Sequence, residues 1–196
     1  LAHYMRDDKY TQEILTGDIH TANQKSAGLD TRDEAKTFIY AFLYGAGDAK
    51  IGTIAGGTAK KGKELKENFL KNTPALKKLR ERVSKASDKG YLKALDGRHI
   101  EVRSEHASLN FLLQSAGAII AKRAWEIFHN MAGYEGLDYK QLGVIHDEIQ
   151  IECNPEDAEA IGYLIVDAME FTTEYYKLNC PITGTFKIGR NWNDTH

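Results

Sequence analysis

The 196-residue chain is 42% hydrophobic with a formal net charge of −2, a composition that suits one good core or a core plus a lobe and that excludes a basic chain binding nucleic acid through its overall charge. No apolar run approaches the roughly 20 residues that span a bilayer, no basic-then-apolar signal opens the sequence, and no membrane role is expected. The two cysteines, Cys153 and Cys180, lack metal-ligand spacing; they fit core thiols in a reducing intracellular setting better than a disulfide scaffold.

In chain order, apolar and charged residues alternate at helical spacing through Leu15, and Thr16-Gly17-Asp18 marks a stop and restart before a short helix carrying His20. Thr31-Arg32-Asp33-Glu34 reads as a capping box for a helix with the apolar residues Phe38, Ile39, Phe42 and Leu43, ending at Gly45-Ala46-Gly47. From Thr58 to Lys89 the pattern is an amphipathic helix broken near Asn72-Thr73-Pro74, where proline suits a new first turn. Its polar face gathers Lys60, Lys61, Lys63, Lys66, Lys71, Lys77, Lys78, Arg80, Arg82 and Lys85, whereas the stretch from Glu126 to Glu174 is mostly acidic. Asp96-Gly97 is a strong hairpin signal between Leu92–Ala94 and His99–Val102. A long helix is expected from about Ser108 to Met131, strands over Leu142–Ile145 and Glu148–Cys153, a helix over Asp157–Tyr176 and a short strand near Thr185–Ile188.

Two patterns carry chemistry. Arg32, Lys36, Tyr40 and Tyr44 recur every four residues and share one face of the capped helix. Cations at i and i+4 repel by about 0.2 to 0.5 kcal/mol, and the helix dipole disfavours Arg32 in the first turn, so a negative group should offset both. A phosphate chain at the helix N-terminus would do so, with the tyrosine rings beyond it placed for a sugar and a base. The alternative is a solvated face in which Asp33 pairs with Lys36. The second pattern is His146-Asp147-Glu148 at the bend between two apolar strands. Adjacent carboxylates with apolar flanks are costly to desolvate unless paired or metal-bound, and such oxygens suit magnesium; the alternative is a plain polar turn.

Together, Arg32-x-x-x-Lys36-x-x-x-Tyr40-x-x-x-Tyr44-Gly45 and, about a hundred residues later, His146-Asp147-Glu148 resemble motifs B and C of family A (Pol I-like) DNA polymerases, most of all the replicative enzymes of short-tailed bacteriophages. Gly17-Asp18-Ile19-His20, Leu95-Asp96-Gly97-Arg98, the run Leu112 to Ala118 and the terminal Asn191-Trp192 look like the same branch, so nearly the whole chain is covered. The resemblance implies an α+β fold: a palm-adjacent helix over 1–16, a helical fingers subdomain over 17–95, and the C-terminal part of the palm over 96–196, with the His-Asp-Glu hairpin packed on long helices.

It also implies roles. His20, Arg32 and Lys36 would contact the triphosphate of an incoming dNTP, with Lys36 a candidate proton donor to pyrophosphate, and Tyr40 would sit by the sugar, as in enzymes that accept dideoxynucleotides. Tyr44 and Gly45 would lie at the templating base, Asn110 and Gln114 along the primer–template duplex, and His146 beside the primer terminus. Asp147, with Glu148 close by, would hold the catalytic metal in a two-ion Mg2+ mechanism of nucleotidyl transfer. The implied partners are primer–template DNA, dNTPs and a processivity factor, in the cytoplasm, that of the host cell if the protein is viral.

The departure from the family pattern is at the front. The motif A strand, with its second metal-binding aspartate, the thumb and the exonuclease domain would precede Leu1, so the expected partner is a missing N-terminal part, in the same parent chain or as a separate subunit, and the isolated chain is expected to be inactive. A phage-type single-subunit RNA polymerase has a similar helix and a His-Asp hairpin, but Glu148 stands where those enzymes typically carry Ser. A catalytically silent DNA-binding remnant is the other alternative.

Overall fold

A computed structural model describes residues 1–145 and 147–195, arranged as two compact units, Leu1–Ser115 and Ala116–His196. The α+β class expected from the sequence is what the chain adopts: mostly helix, with two separate two-stranded antiparallel hairpins.

The first unit begins with α1 (Ala2–Met5) and α2 (Asp8–Leu15), rather than the single helix expected through Leu15. Arg6 takes a left-handed conformation (φ 53°) that closes α1, and the Asp7 carboxylate restarts the chain by accepting the Tyr10 N–H at 3.0 Å. Next come α3 (Ile19–Ala27), α4 (Arg32–Leu43), α5 (Asp48–Ile54), α6 (Ala59–Asn72) and α7 (Pro74–Ser87). The break between α6 and α7 falls at Thr73, with Pro74 in the first turn as expected. The hairpin β1 (Tyr91–Lys93) and β2 (His99–Glu101) turns through Asp96-Gly97, with Gly97 at φ 90°. A single 3-10 turn (Glu105–Ala107) then leads into α8 (Ser108–Tyr134), within which the boundary between the units falls.

The core of this unit is aromatic. Phe69 of α6 meets Phe38 and Phe42 of α4 edge-on, each at 5.2 Å between ring centroids, and Ala35, Ile51, Leu65 and Leu76 close around them. The α4 residues in this cluster recur at helical spacing, which leaves Arg32, Lys36, Tyr40 and Tyr44 on the exposed side. α5 forms in a glycine-rich stretch for which periodicity predicts no element. Its pairing with α6 depends on Gly52 and Gly62: a Cβ on Gly62 would overlap the Asp48 carbonyl oxygen and lie 2.6 Å from the Gly52 nitrogen. Gly62→Ala is expected to cost about 1–3 kcal/mol by overpacking, read as a lowered urea midpoint with an unchanged slope.

The second unit contains the remainder of α8, the hairpin β3 (Tyr139–Ile145) and β4 (Glu148–Cys153), α9 (Ala158–Tyr175) and the short α10 (Trp192–Thr195). Phe128 and Ala132 of α8 pack with Ile161 and Ala168 of α9, and Tyr139, Ile151 and Cys153 bring one hairpin face onto them. Register runs from Tyr139↔Cys153 to Ile145↔Glu148, with a bulge between Gln141 and Gly143. The strand expected near Thr185–Ile188 is absent: residues 181–189 follow an irregular path, and Phe186 packs edge-on against Tyr163 at 5.1 Å. Hydrophobic alternation there reflects packing on α9, not pairing in a sheet. Cys153 is half-buried and burial pushes its thiol pKa up, as suits a packing residue; it and Cys180 are both free. No described helix is long and apolar enough to cross a membrane.

Candidate functional site

One candidate site, in the first unit, is the outer face of α4. Its entry is held by the full capping box: the Thr31 hydroxyl accepts the Glu34 N–H at 3.1 Å, and the Glu34 carboxylate accepts the Thr31 N–H at 3.0 Å and the Asp30 N–H at 3.2 Å. The cap fixes the rotation of the helix about its axis. With Ala35, Phe38, Ile39 and Phe42 inward, Arg32 and Lys36 emerge in the first two turns, and Tyr40 and Tyr44 follow at 53% and 55% exposure.

The charge offset expected from the stripe is supplied in part by the protein itself. Asp18, immediately before α3, takes Arg32 in a bidentate pair, Nε to Oδ2 at 2.6 Å and Nη2 to Oδ1 at 3.3 Å. The same carboxylate caps α3, accepting the His20 N–H on Oδ1 at 3.0 Å and the Thr21 hydroxyl on Oδ2 at 2.8 Å. The Arg32 bond, followed by that from Thr21, holds the Asp18 carboxyl well below the usual carboxylate range. A depressed pKa means the pair is intact above the unfolded value of about 3.9 and is lost only as pH falls through the folded value, so it persists throughout the neutral range. Arg32 therefore needs no external anion for stability. Lys36 differs: the ion pairs among the described residues do not include it, with Asp33 or any other carboxylate. The Nδ1 atom of His20 is buried with no hydrogen-bond partner among the described residues.

At the other end of α4, Tyr44 is the C-cap and Gly45 turns the chain at φ 76°. A side chain at Gly45 would meet the His106 carbonyl oxygen at 2.7 Å, so both backbone and space require glycine. The Tyr44 hydroxyl accepts from the Gln114 amide at 2.9 Å, joining two residues that lie 70 positions apart. Asn110 sits half-buried one turn before Gln114 on α8.

A separate candidate site, in the second unit, is the β3–β4 hairpin. Asp147 is exposed at its turn, so the desolvation cost anticipated from the apolar flanks does not arise for this residue. Glu148 is half-buried and accepts from the Gln150 amide, the two side chains sharing one face as strand alternation requires. His146 lies outside the described residues. Among the described residues no group of three or more His, Cys, Asp or Glu side chains converges as a metal cage. An exposed aspartate with a glutamate beside it suits a magnesium ion that keeps waters and substrate phosphates in its shell, since such an ion binds through one or two carboxylates.

As the spacing predicts, Arg32, Lys36 and Tyr40 share the exposed face of α4 with Tyr44 at its C-cap, and Asp147 lies at the hairpin turn with Glu148 opening β4. The pairing of Arg32 with Asp18 is not legible from spacing, and neither is that of Tyr44 with Gln114. An aspartate directly before a helix signals an N-cap, but no periodicity points from residue 18 to residue 32.

The sequence model of DNA polymerase family A matches residues 1–194. Over the whole chain the sequence is 44% identical to the DNA-directed DNA polymerase of Enterobacteria phage T3 and 43% identical to that of Escherichia phage T7, matching 31% of each. It is 26% identical to DNA polymerase I of Aquifex aeolicus (strain VF5), over 94% of this chain and 33% of that protein. The chain thus spans about a third of the length of these curated relatives. Among solved structures, its fold is similar to the POL domain of Pol1 from M. smegmatis in complex with DNA primer-template and dNTP, with a TM-score of 0.79 and 21% identity over 92% of this chain and 35% of that one. The chain belongs to DNA polymerase family A.

Proposed function

We propose that this chain contributes the nucleotide-gripping helix and one metal-binding carboxylate of a template-directed DNA polymerase. The observation that carries the reading is the outer face of α4, where Lys36, Tyr40 and Tyr44 stand exposed in line with an anchored Arg32 in a family A chain. Arg32, Lys36 and His20 bind the triphosphate of the incoming dNTP, which provides a counter-charge for Lys36, unpaired among the ion pairs of the described residues. Tyr40 packs beside the sugar. Tyr44 and Gly45 meet the templating base, Asn110 and Gln114 touch the duplex near the primer end, and His146 lies by the primer terminus.

Asp147 would hold the magnesium ions, with Glu148 beside it, and a second aspartate would come from a palm segment outside these residues. Magnesium so held would activate the primer 3′-hydroxyl and neutralise charge on the phosphates. Lys36 gives a proton to the departing pyrophosphate. The basic faces of α6 and α7 contact DNA backbone, and each phosphate neutralised there steepens the dependence of affinity on salt.

Primer extension by the chain combined with an upstream segment bearing the second aspartate tests this, offering dNTPs and rNTPs in parallel. Extension with a preference for dNTPs is expected, and a preference for rNTPs would overturn the DNA polymerase reading in favour of a single-subunit RNA polymerase. The relatives at 43–44% identity are named DNA-directed DNA polymerases, which supports the former. The 196 residues alone are expected to give no extension, and synthesis by them unaided would overturn the need for a second carboxylate.

A further inference from the structure

We infer that Asp18 is a positioning residue for nucleotide binding, a fixed buttress that aims Arg32 at the triphosphate while anchoring the start of the helix that carries His20. This rests on the nucleotide-binding role proposed above for Arg32 and His20. Each Asp18 oxygen takes two donors: Oδ1 accepts from the His20 N–H and Arg32 Nη2, and Oδ2 from the Thr21 hydroxyl and Arg32 Nε. The roughly four lone-pair sites of a carboxylate are thereby filled.

Two consequences follow from that saturation. The guanidinium has five N–H donors in a rigid planar fork and spends two on Asp18, leaving three directed away from the carboxylate. These are free for phosphate oxygens, and the fork is already oriented, so less rotamer freedom is lost on binding. The carboxylate's charge is spread over four donors, which weakens the repulsion it would otherwise exert on a triphosphate. Orientation then outweighs repulsion, and removing the Asp18 charge weakens nucleotide binding. Because the same side chain caps α3, the backbone at His20 and the side chain of Arg32 are referred to one group 14 residues from Arg32 in sequence.

Asp18→Asn separates this role from simple folding, because asparagine caps a helix as well as aspartate does but cannot offer two anionic oxygens to a guanidinium. In the assembled polymerase, Asp18→Asn is expected to raise the KM for all four dNTPs roughly tenfold with kcat changed less than about twofold, the size of one charge-assisted bond acting in binding alone. The melting temperature should stay with that of the parent. In an Arg32→Ala background the same substitution should add nothing, since the group it positions is gone. An unchanged or lowered KM in Asp18→Asn, or equal penalties with and without Arg32, overturns the buttress while a raised KM in Arg32→Ala leaves the proposed function standing. If Arg32→Ala itself leaves KM unchanged, both readings fall.

Discussion

Asp147→Ala is expected to abolish primer extension by the assembled polymerase, with a loss of about a thousandfold or more, the rate equivalent of the several kcal/mol that a bound metal contributes to the transition state. Asp147 is exposed at the hairpin turn, whereas Glu148 is half-buried and accepts from the Gln150 amide, so the neighbour is the less available ligand. Glu148→Gln should accordingly be milder. Affinity for primer–template, followed by fluorescence anisotropy, should change less than about threefold in Asp147→Ala, because phosphate neutralisation by lysine and arginine dominates DNA affinity. Single-turnover extension gives the decisive number. A silent Asp147→Ala would mean that the hairpin is a plain polar turn and that the chain is a DNA-binding remnant.

Lys36→Ala is expected to lower kcat by about 10²- to 10⁴-fold, the range for losing a general acid, and to raise the KM for dNTPs as well. Lys36 is the cation on the α4 face that no described carboxylate neutralises, whereas Arg32 is held by Asp18. The companion variant Lys36→Arg keeps the charge but cannot give up its proton near neutral pH, so it should recover most of the KM and little of the kcat. Pre-steady-state kinetics with each dNTP would separate the two effects. Full recovery of kcat in Lys36→Arg would reduce Lys36 to an electrostatic contact.

How much of this was legible beforehand depended on the range of the interactions. The α4 cap, its buried stripe and the break at Thr73-Pro74 are set by residues within four positions of one another, and each is where local rules put it. The Asp96-Gly97 turn likewise needs only a residue that tolerates positive φ. Elements governed by distant partners were missed or misread: α5 exists because two glycines let it lie against α6, and the expected strand near residue 185 gave way to Phe186 packing on α9.

The site divides along the same line. Sequence alone determined that Arg32, Lys36, Tyr40 and Tyr44 share a face and that Asp147 and Glu148 sit at a hairpin bend, because helical and strand periods are properties of the backbone. Only the tertiary structure decided which of those side chains is free and which is held. Asp18 reaches Arg32 across 14 residues and Gln114 reaches Tyr44 across 70, distances over which spacing carries no information and only the packing of α3, α4 and α8 brings donor to acceptor.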